Sequence, residues 1–226
     1  MKFFDRLIQE AEELISSFPK KEFKADVPWQ DAGQAQVIMR RDTEFELDGV
    51  GFNLVTSATV NDGIIVVGED LDEIKGNRRF ARIVLVQIDD VDDEQKGYSL
   101  IKKIDYVKYH CFPDGYMIRS TSRSHKEAVR VSKKALKEGM RFLDIGSLFI
   151  KKYKEIPAVK GVKIIFVTET NVEYNEIEKL AEKNYSIAET LNHVMNNVVF
   201  DCMTCNLKAI CDEVEGMKEL HFSKTR

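Results

Sequence analysis

The stretch "QVIMRRDTEFELDG", Gln36–Gly49, opens the region that decides the fold. Its second half alternates, with Thr43, Phe45 and Leu47 on one side and Glu44 and Glu46 on the other. That period of two describes a strand with one buried face, and Asp48-Gly49 reads as a turn closing it. Next come "GFNLVTSATV", Gly51–Val60, and "IIVVG", Ile64–Gly68, separated by Asn61-Asp62-Gly63. The spacing predicts two strands joined by a tight turn. "RFARIVLVQID", Arg79–Asp89, is longer and mostly apolar, as befits a strand covered on both faces.

Helices flank this block. Phe3, Phe4, Leu7, Ile8, Ala11, Leu14, Ile15 and Phe18 share one helical face, and Pro19 stops the run. Such a stripe docks on the body of the protein or on a partner, and the body is the commoner surface. "PKKEFKADVPWQDAGQ", Pro19–Gln34, reads as a linker. Ser124 and Glu127 have capping-box spacing ahead of a helix expected to run to Met140, with Gly139 as its stop. Ile145, Leu148, Phe149 and Tyr153 line a further helix, and "GVKIIFVTE", Gly161–Glu169, is a strand. Thr170 with Glu173, then Ser186 with Glu189, open or continue a helix carrying Ile177, Leu180, Ala181, Leu191, Val194 and Met195. The expected fold class is therefore α+β, a mixed α/β sandwich with an N-terminal amphipathic helix and a C-terminal cysteine-rich, metal-binding tail. Residues 1–30 form the helix and linker, 31–198 the α+β domain, and 199–226 the tail.

Composition excludes several classes. The 226 residues are 43% hydrophobic and 32% charged, with a formal charge of −4. There is no basic field to attract nucleic acid or an anionic membrane. No apolar run approaches the roughly 20 residues of a membrane span. The N-terminal stretch carries acids where a signal peptide would be apolar, so a cytoplasmic location is expected. The acidic "DDVDDEQKG", Asp89–Gly97, lacks the spacing of a calcium loop and reads as solvated.

In a reducing compartment a tight group of thiols favours metal over a disulfide. Three of the four cysteines lie in "DCMTCNLKAIC", Asp201–Cys211, as Cys202-x2-Cys205-x5-Cys211, and nine residues separate Cys211 from His221. Two thiolates spaced by two residues reach one tetrahedral centre from a single turn. A redox role would place the pair at a helix N-terminus after an early strand, whereas this pair follows a long helix. The spacing leaves three states open: an iron–sulfur cluster, a structural zinc, or thiols alone. His221 is either a fourth ligand or a solvated side chain. Cys111, beside His110 in "YHCFPDG", reads as a buried, inert thiol.

Taken in order, "QVIMRRDTEFELDG", "FNLVTSATVNDGIIVVGEDLDEI", "VRVSKKALKEGMRFLDIGSLFIKKYKE" and "DCMTC" resemble the acetyl-CoA synthase (beta) subunit of carbon monoxide dehydrogenase/acetyl-CoA synthase complexes. The similarity runs from about Gln36 to Cys211 and covers that family's middle α+β domain and the start of its cluster-binding domain. It implies a 4Fe–4S cluster held by cysteines and joined through one of them to a dinickel site. Cys202 and Cys205 match the first two cluster cysteines, with Cys205 in the place of the one that bridges to nickel. Cys211 falls near the third, and His221 stands where the fourth is found. The family grips its distal nickel with Cys-Gly-Cys, a motif that occurs nowhere in these 226 residues. The short helix Phe3–Phe18 stands in place of the family's partner-docking domain.

The resemblance thus implies an accessory iron–sulfur protein for electron transfer, metal handling or assembly in one-carbon metabolism. Carbon monoxide dehydrogenase or corrinoid proteins are its expected partners, and self-association is an open alternative. Acetyl-CoA formation, the family's activity, is not expected of the chain alone, and no catalytic residue is assigned. The alternative is a non-enzymatic interaction module with a structural zinc. The family's middle domain also lies near coenzyme A. Arg119, Arg123 and Arg130, with Lys126, are candidates for its phosphates at an expected helix start, or else form a solvated basic face.

Overall fold

The computed structural model describes residues 3–89, 94–121, 125–195, 205, 207–214 and 216–217. Seven strands form one mixed sheet: β1 (Lys20–Phe23), β2 (Thr43–Thr56), β3 (Gly63–Val67), β4 (Arg78–Ile88), β5 (Tyr116–Ser120), β6 (Lys126–Ser132) and β7 (Val159–Val167). Their order is β1-β3-β7-β4-β2-β6-β5. The pairs β2–β4 and β3–β7 are parallel, and the remaining neighbours are antiparallel. The described helices are α1 (Asp5–Leu14), α2 (Glu94–Tyr106), α3 (Lys133–Lys137), α4 (Phe142–Lys154), α5 (Tyr174–Met195) and α6 (Lys208–Glu213). The α+β expectation holds, and so does the N-terminal helix.

Helices cover both faces of the central strands. Phe52, Leu54 and Thr56 alternate toward α1 and α5: the Thr56 hydroxyl donates to Asp5 at 2.8 Å, and the Phe52 ring neighbours His125, which touches Tyr185 of α5. Asn53 of β2 and Arg82 of β4 point the other way, toward α4, where Tyr153 and Phe149 meet them. β4 lies between β7 and β2, and its apolar run is buried almost throughout, as two-sided coverage demands. Phe4, Leu7, Ala11 and Ile15 seat α1 on the body. The α1 stripe is thus used for folding, in keeping with its amphipathic pattern.

Several expectations are corrected. Asp48-Gly49 is no turn; β2 continues through it, because Phe80 of β4 comes so close that a Cβ on Gly49 would sit 1.7 Å from its carbonyl oxygen. The expected hairpin between Gly51–Val60 and Ile64–Gly68 does not form, since β2 pairs with β4 and β6 while β3 pairs with β1 and β7. The linker contains β1, a short lysine-bearing edge strand. The helix expected from Ser124 to Met140 is largely strand. Glu127, Val129 and Val131 are buried while Lys126 and Ala128 are exposed, a period of two, and only α3 is helical. Its N-cap is Ser132, whose hydroxyl accepts from the Ala135 amide at 3.1 Å, and Gly139 at φ +91° ends that turn. Thr170 and Glu173 form no capping box, because α5 starts at Tyr174, and it runs unbroken past Ser186. α2 has a helical stripe of Leu100, Ile101 and Ile104 that the acidic run before it obscured.

Candidate functional site

α5 carries the chain to Met195, and the cysteine segment follows. Cys202 and His221 lie outside the described residues. Cys205 and Cys211 are half-buried: the Cys205 carbonyl accepts from the Lys208 amide at 3.2 Å, and Cys211 sits on α6, its amide bonded to the Leu207 carbonyl. Ile210, Cys211 and Val214 pack against the core, and Met217 is fully buried in it. Lys183 of α5 bonds Glu213 at 3.1 Å and stands 3.9 Å from Glu10 of α1, tying three helices together. Among the described residues of the tail Met217 is the strongest apolar anchor, with Leu207 and Ile210 only half-buried. Among the described residues no group of three His, Cys, Asp or Glu gathers as a metal site. The two described thiols nonetheless suit a soft metal, since thiolates are the donors that iron–sulfur centres and zinc take.

Of the three candidate arginines, the two described ones lie on strands and not at a helix N-terminus. Arg119 lies exposed on β5, Arg130 lies on β6, and Arg123 falls outside the described residues. Residue 119 pairs with Ala128, two positions from Arg130, so both arginines occupy one face of the β5–β6 hairpin. Arg130 is engaged, donating to Glu46 at 2.7 Å and to the Ile38 carbonyl at 3.2 Å.

A second polar constellation escaped the sequence reading. Under α4, Arg82 and Glu127 form a two-pronged ion pair at 2.9 and 2.7 Å, both fully buried. The Arg82 guanidinium lies 5.0 Å from the centre of the Phe149 ring. Burial opposes its charge, but the Glu127 carboxylate outweighs this and holds the guanidinium protonated. Gly51 makes room for the pair, since a Cβ there would come within 1.9 Å of Glu127 Oε2. Beside it, Tyr153 donates to Asn53 at 2.6 Å, and Asn53 donates to Asp105 at 2.8 Å. Burial raises the Asp105 carboxyl and lowers the Lys108 ammonium; their mutual attraction offsets each only in part. Burial pushes the Cys111 thiol well up, which agrees with the inert thiol expected there. On the opposite side of β2, His125 is held at φ +48° and its pKa is lowered to about 3 by burial and by Lys108 and Arg82. The Asn184 side chain lies 3.3 Å from its Nε2. The only trace of this network in the sequence is Glu127 within an otherwise apolar-facing row of β6.

Residues 30–172, more than half of the chain, match the family model for the CO dehydrogenase/acetyl-CoA synthase complex beta subunit. The chain belongs to that family. Strands β2 to β7, α4 and the buried Arg82–Glu127 pair fall within the matched span, whereas β1 precedes it and the cysteines at 202, 205 and 211 lie beyond it. A carbon monoxide dehydrogenase/acetyl-CoA synthase subunit alpha from Moorella thermoacetica is 27% identical over 219 residues. That alignment covers 89% of this chain and 29% of the relative, so the chain spans under a third of that protein's length. None of the described helices of this family member is long and apolar enough to cross a membrane.

Proposed function

We propose that this member of the acetyl-CoA synthase family is a small accessory iron–sulfur protein. It serves electron transfer, metal handling or assembly beside carbon monoxide dehydrogenase or corrinoid partners in the cytoplasm. Cys202, Cys205, Cys211 and His221 hold the metal. The observation that carries this reading is the run of three thiols at Cys-x2-Cys-x5-Cys that follows α5, with α6 seated on α5. That docking supports a site held against the body. A bound 4Fe–4S cluster supplies one-electron chemistry. The chain's own part is to present the thiolates and to limit access of water through the packing of Ile210, Val214 and Met217.

With no Cys-Gly-Cys among its 226 residues, this polypeptide alone does not join methyl and carbonyl groups. Arg119, Arg123 and Arg130 remain candidate contacts for the phosphates of coenzyme A, with exposed Arg119 free of the ion pair that occupies Arg130. The rival reading, an interaction module stapled by zinc, uses the same thiols.

Protein purified without oxygen separates the two. Brown protein containing about four irons and four acid-labile sulfides per site is expected. One equivalent of zinc with no sulfide replaces this reading with the rival. The same preparation, given nickel, a methyl donor, carbon monoxide and coenzyme A, is expected to form no acetyl-CoA; sustained turnover would refute the accessory role.

A further inference from the structure

Residues 35–39 lie against β5 and alternate as a strand does: Gln36 and Ile38 are covered, while Ala35, Val37 and Met39 are exposed. The segment belongs to none of the seven strands. Gln36 holds it, its side chain donating to Asp114 and accepting from the Gly115 amide, both at 2.9 Å. Ile38 holds it too: its amide meets the Met117 sulfur at 3.3 Å, and its carbonyl accepts from Arg130 at 3.2 Å. In an extended chain, successive residues turn their N–H and C=O groups to opposite edges. Ile38 turns its groups toward β5 and β6, so Val37 turns its own outward. The backbone groups of Ala35 and Val37 bond to no described residue. Val37 is 69% and Met39 55% exposed, so this edge is also apolar. An edge with free backbone groups and uncovered apolar side chains is a template for another strand.

A groove of about 960 Å³ runs along this edge, lined by Ala35 and Val37 together with Lys133, Lys134 and Lys137 of α3. All three lysines are exposed, and Arg40 and Arg41 follow Met39 directly. Three acids share the groove, each already engaged: Asp114 by Gln36, Asp42 by Arg41 at 3.5 Å, and Glu138 by Lys134 at 3.7 Å. Lys133 reaches only the Arg41 carbonyl, at 3.1 Å, and Lys137 and Arg40 have no ion-pair partner among the described residues. Positive charge thus gathers beside the free edge of a chain whose formal charge is −4. A second copy docked here about a two-fold axis would set the same basic residues against each other. An acidic strand meets both demands, since its backbone pairs with Val37 and its carboxylates face the lysines.

We propose that this groove accepts an extended acidic segment of a partner protein, added as a strand along residues 35–39. The face is separate from the cysteine segment, so it stands or falls independently of the metal.

The test is fluorescence anisotropy of the full chain with a labelled, end-capped peptide alternating Glu and Val, beside its Lys and Val counterpart. Saturable binding is expected for the acidic peptide and not for the basic one. Val37→Pro removes the outward N–H while suiting an extended backbone, and should weaken binding about tenfold. Lys134→Glu with Lys137→Glu should abolish it. Both side chains are exposed, and circular dichroism of each variant confirms that the fold is kept. No saturation by the acidic peptide, equal binding of the basic one, or indifference to both substitutions would overturn the proposal. So would equally tight binding of a single-stranded oligonucleotide, which marks a plain polyanion site, or a dimer in sedimentation that Val37→Pro dissolves, which gives the edge to a second copy.

Discussion

Arg82 and Glu127 stand 45 positions apart and meet fully buried, whereas Cys205 and Cys211 stand close in the chain and lie half-buried on one turn and helix. The first pair is assembled by three adjacent strands and depends on the whole sheet for its geometry. The second is local, and its order draws on docking to α5 and, in the proposed reading, on a bound metal. A buried ion pair of this kind is costly to leave half-made, while a local thiol site is costly only in the segment that carries it. The two regions should therefore fail in different ways when cut.

The largest effect is expected at the ion pair. Glu127→Ala leaves the Arg82 guanidinium buried and uncompensated and should destabilise the protein by about 3–5 kcal/mol in urea unfolding. Replacing both residues together by apolar ones of similar volume should recover much of that loss. A single-mutant effect below about 1 kcal/mol would mean that water reaches the pair.

Met217→Ala comes next. Its fully buried side chain predicts a loss of roughly 2–4 kcal/mol if the tail unfolds with the body. Hydrogen exchange sharpens the comparison. Loss of protection in α1 and α5 together with the tail marks one cooperative unit, while loss confined to the tail marks a separable one.

His125 gives a pH signature of intermediate size. Its native pKa of about 3 lies below the ordinary 6.5, so between these values the unfolded chain binds the extra proton. Stability from this group is present above about pH 6.5 and is lost as pH falls toward 3. From pH 6.5 to 5 the loss amounts to ~2 kcal/mol. His125→Asn should flatten that part of the stability profile, and an unchanged slope would show that His125 is not the group responsible.

The smallest global effect is expected from replacing Cys202 and Cys205 by serine. Exchange should quicken after residue 200 while the sheet keeps its protection. Loss of protection throughout the sheet would make the metal a staple of the whole fold and erase the contrast between the two regions.

Some of this was legible in the residues alone. The stripe of α1, the apolar run of β4, the helix carrying Ile145 and Tyr153, and the cysteine spacing are all periodic or local signals. Such signals survive in one dimension because each is fixed by neighbours within a turn or two. The order of weak matches along the chain was enough to identify the family. What failed was partner choice. Nothing near Asp48-Gly49 announces that Phe80 will press against it, and nothing in "KEAVRVS" distinguishes a strand beside β2 from the helix its capping-box spacing suggests. Strand order, the room Gly51 leaves for Glu127, and the unmatched Tyr116 hydroxyl exist only once distant segments are packed together. The sequence by itself therefore determined periodicity, family and thiol spacing, because these are short-range. Tertiary structure alone decided which polar groups lost their water, because desolvation is set by all the elements that close around a site at once.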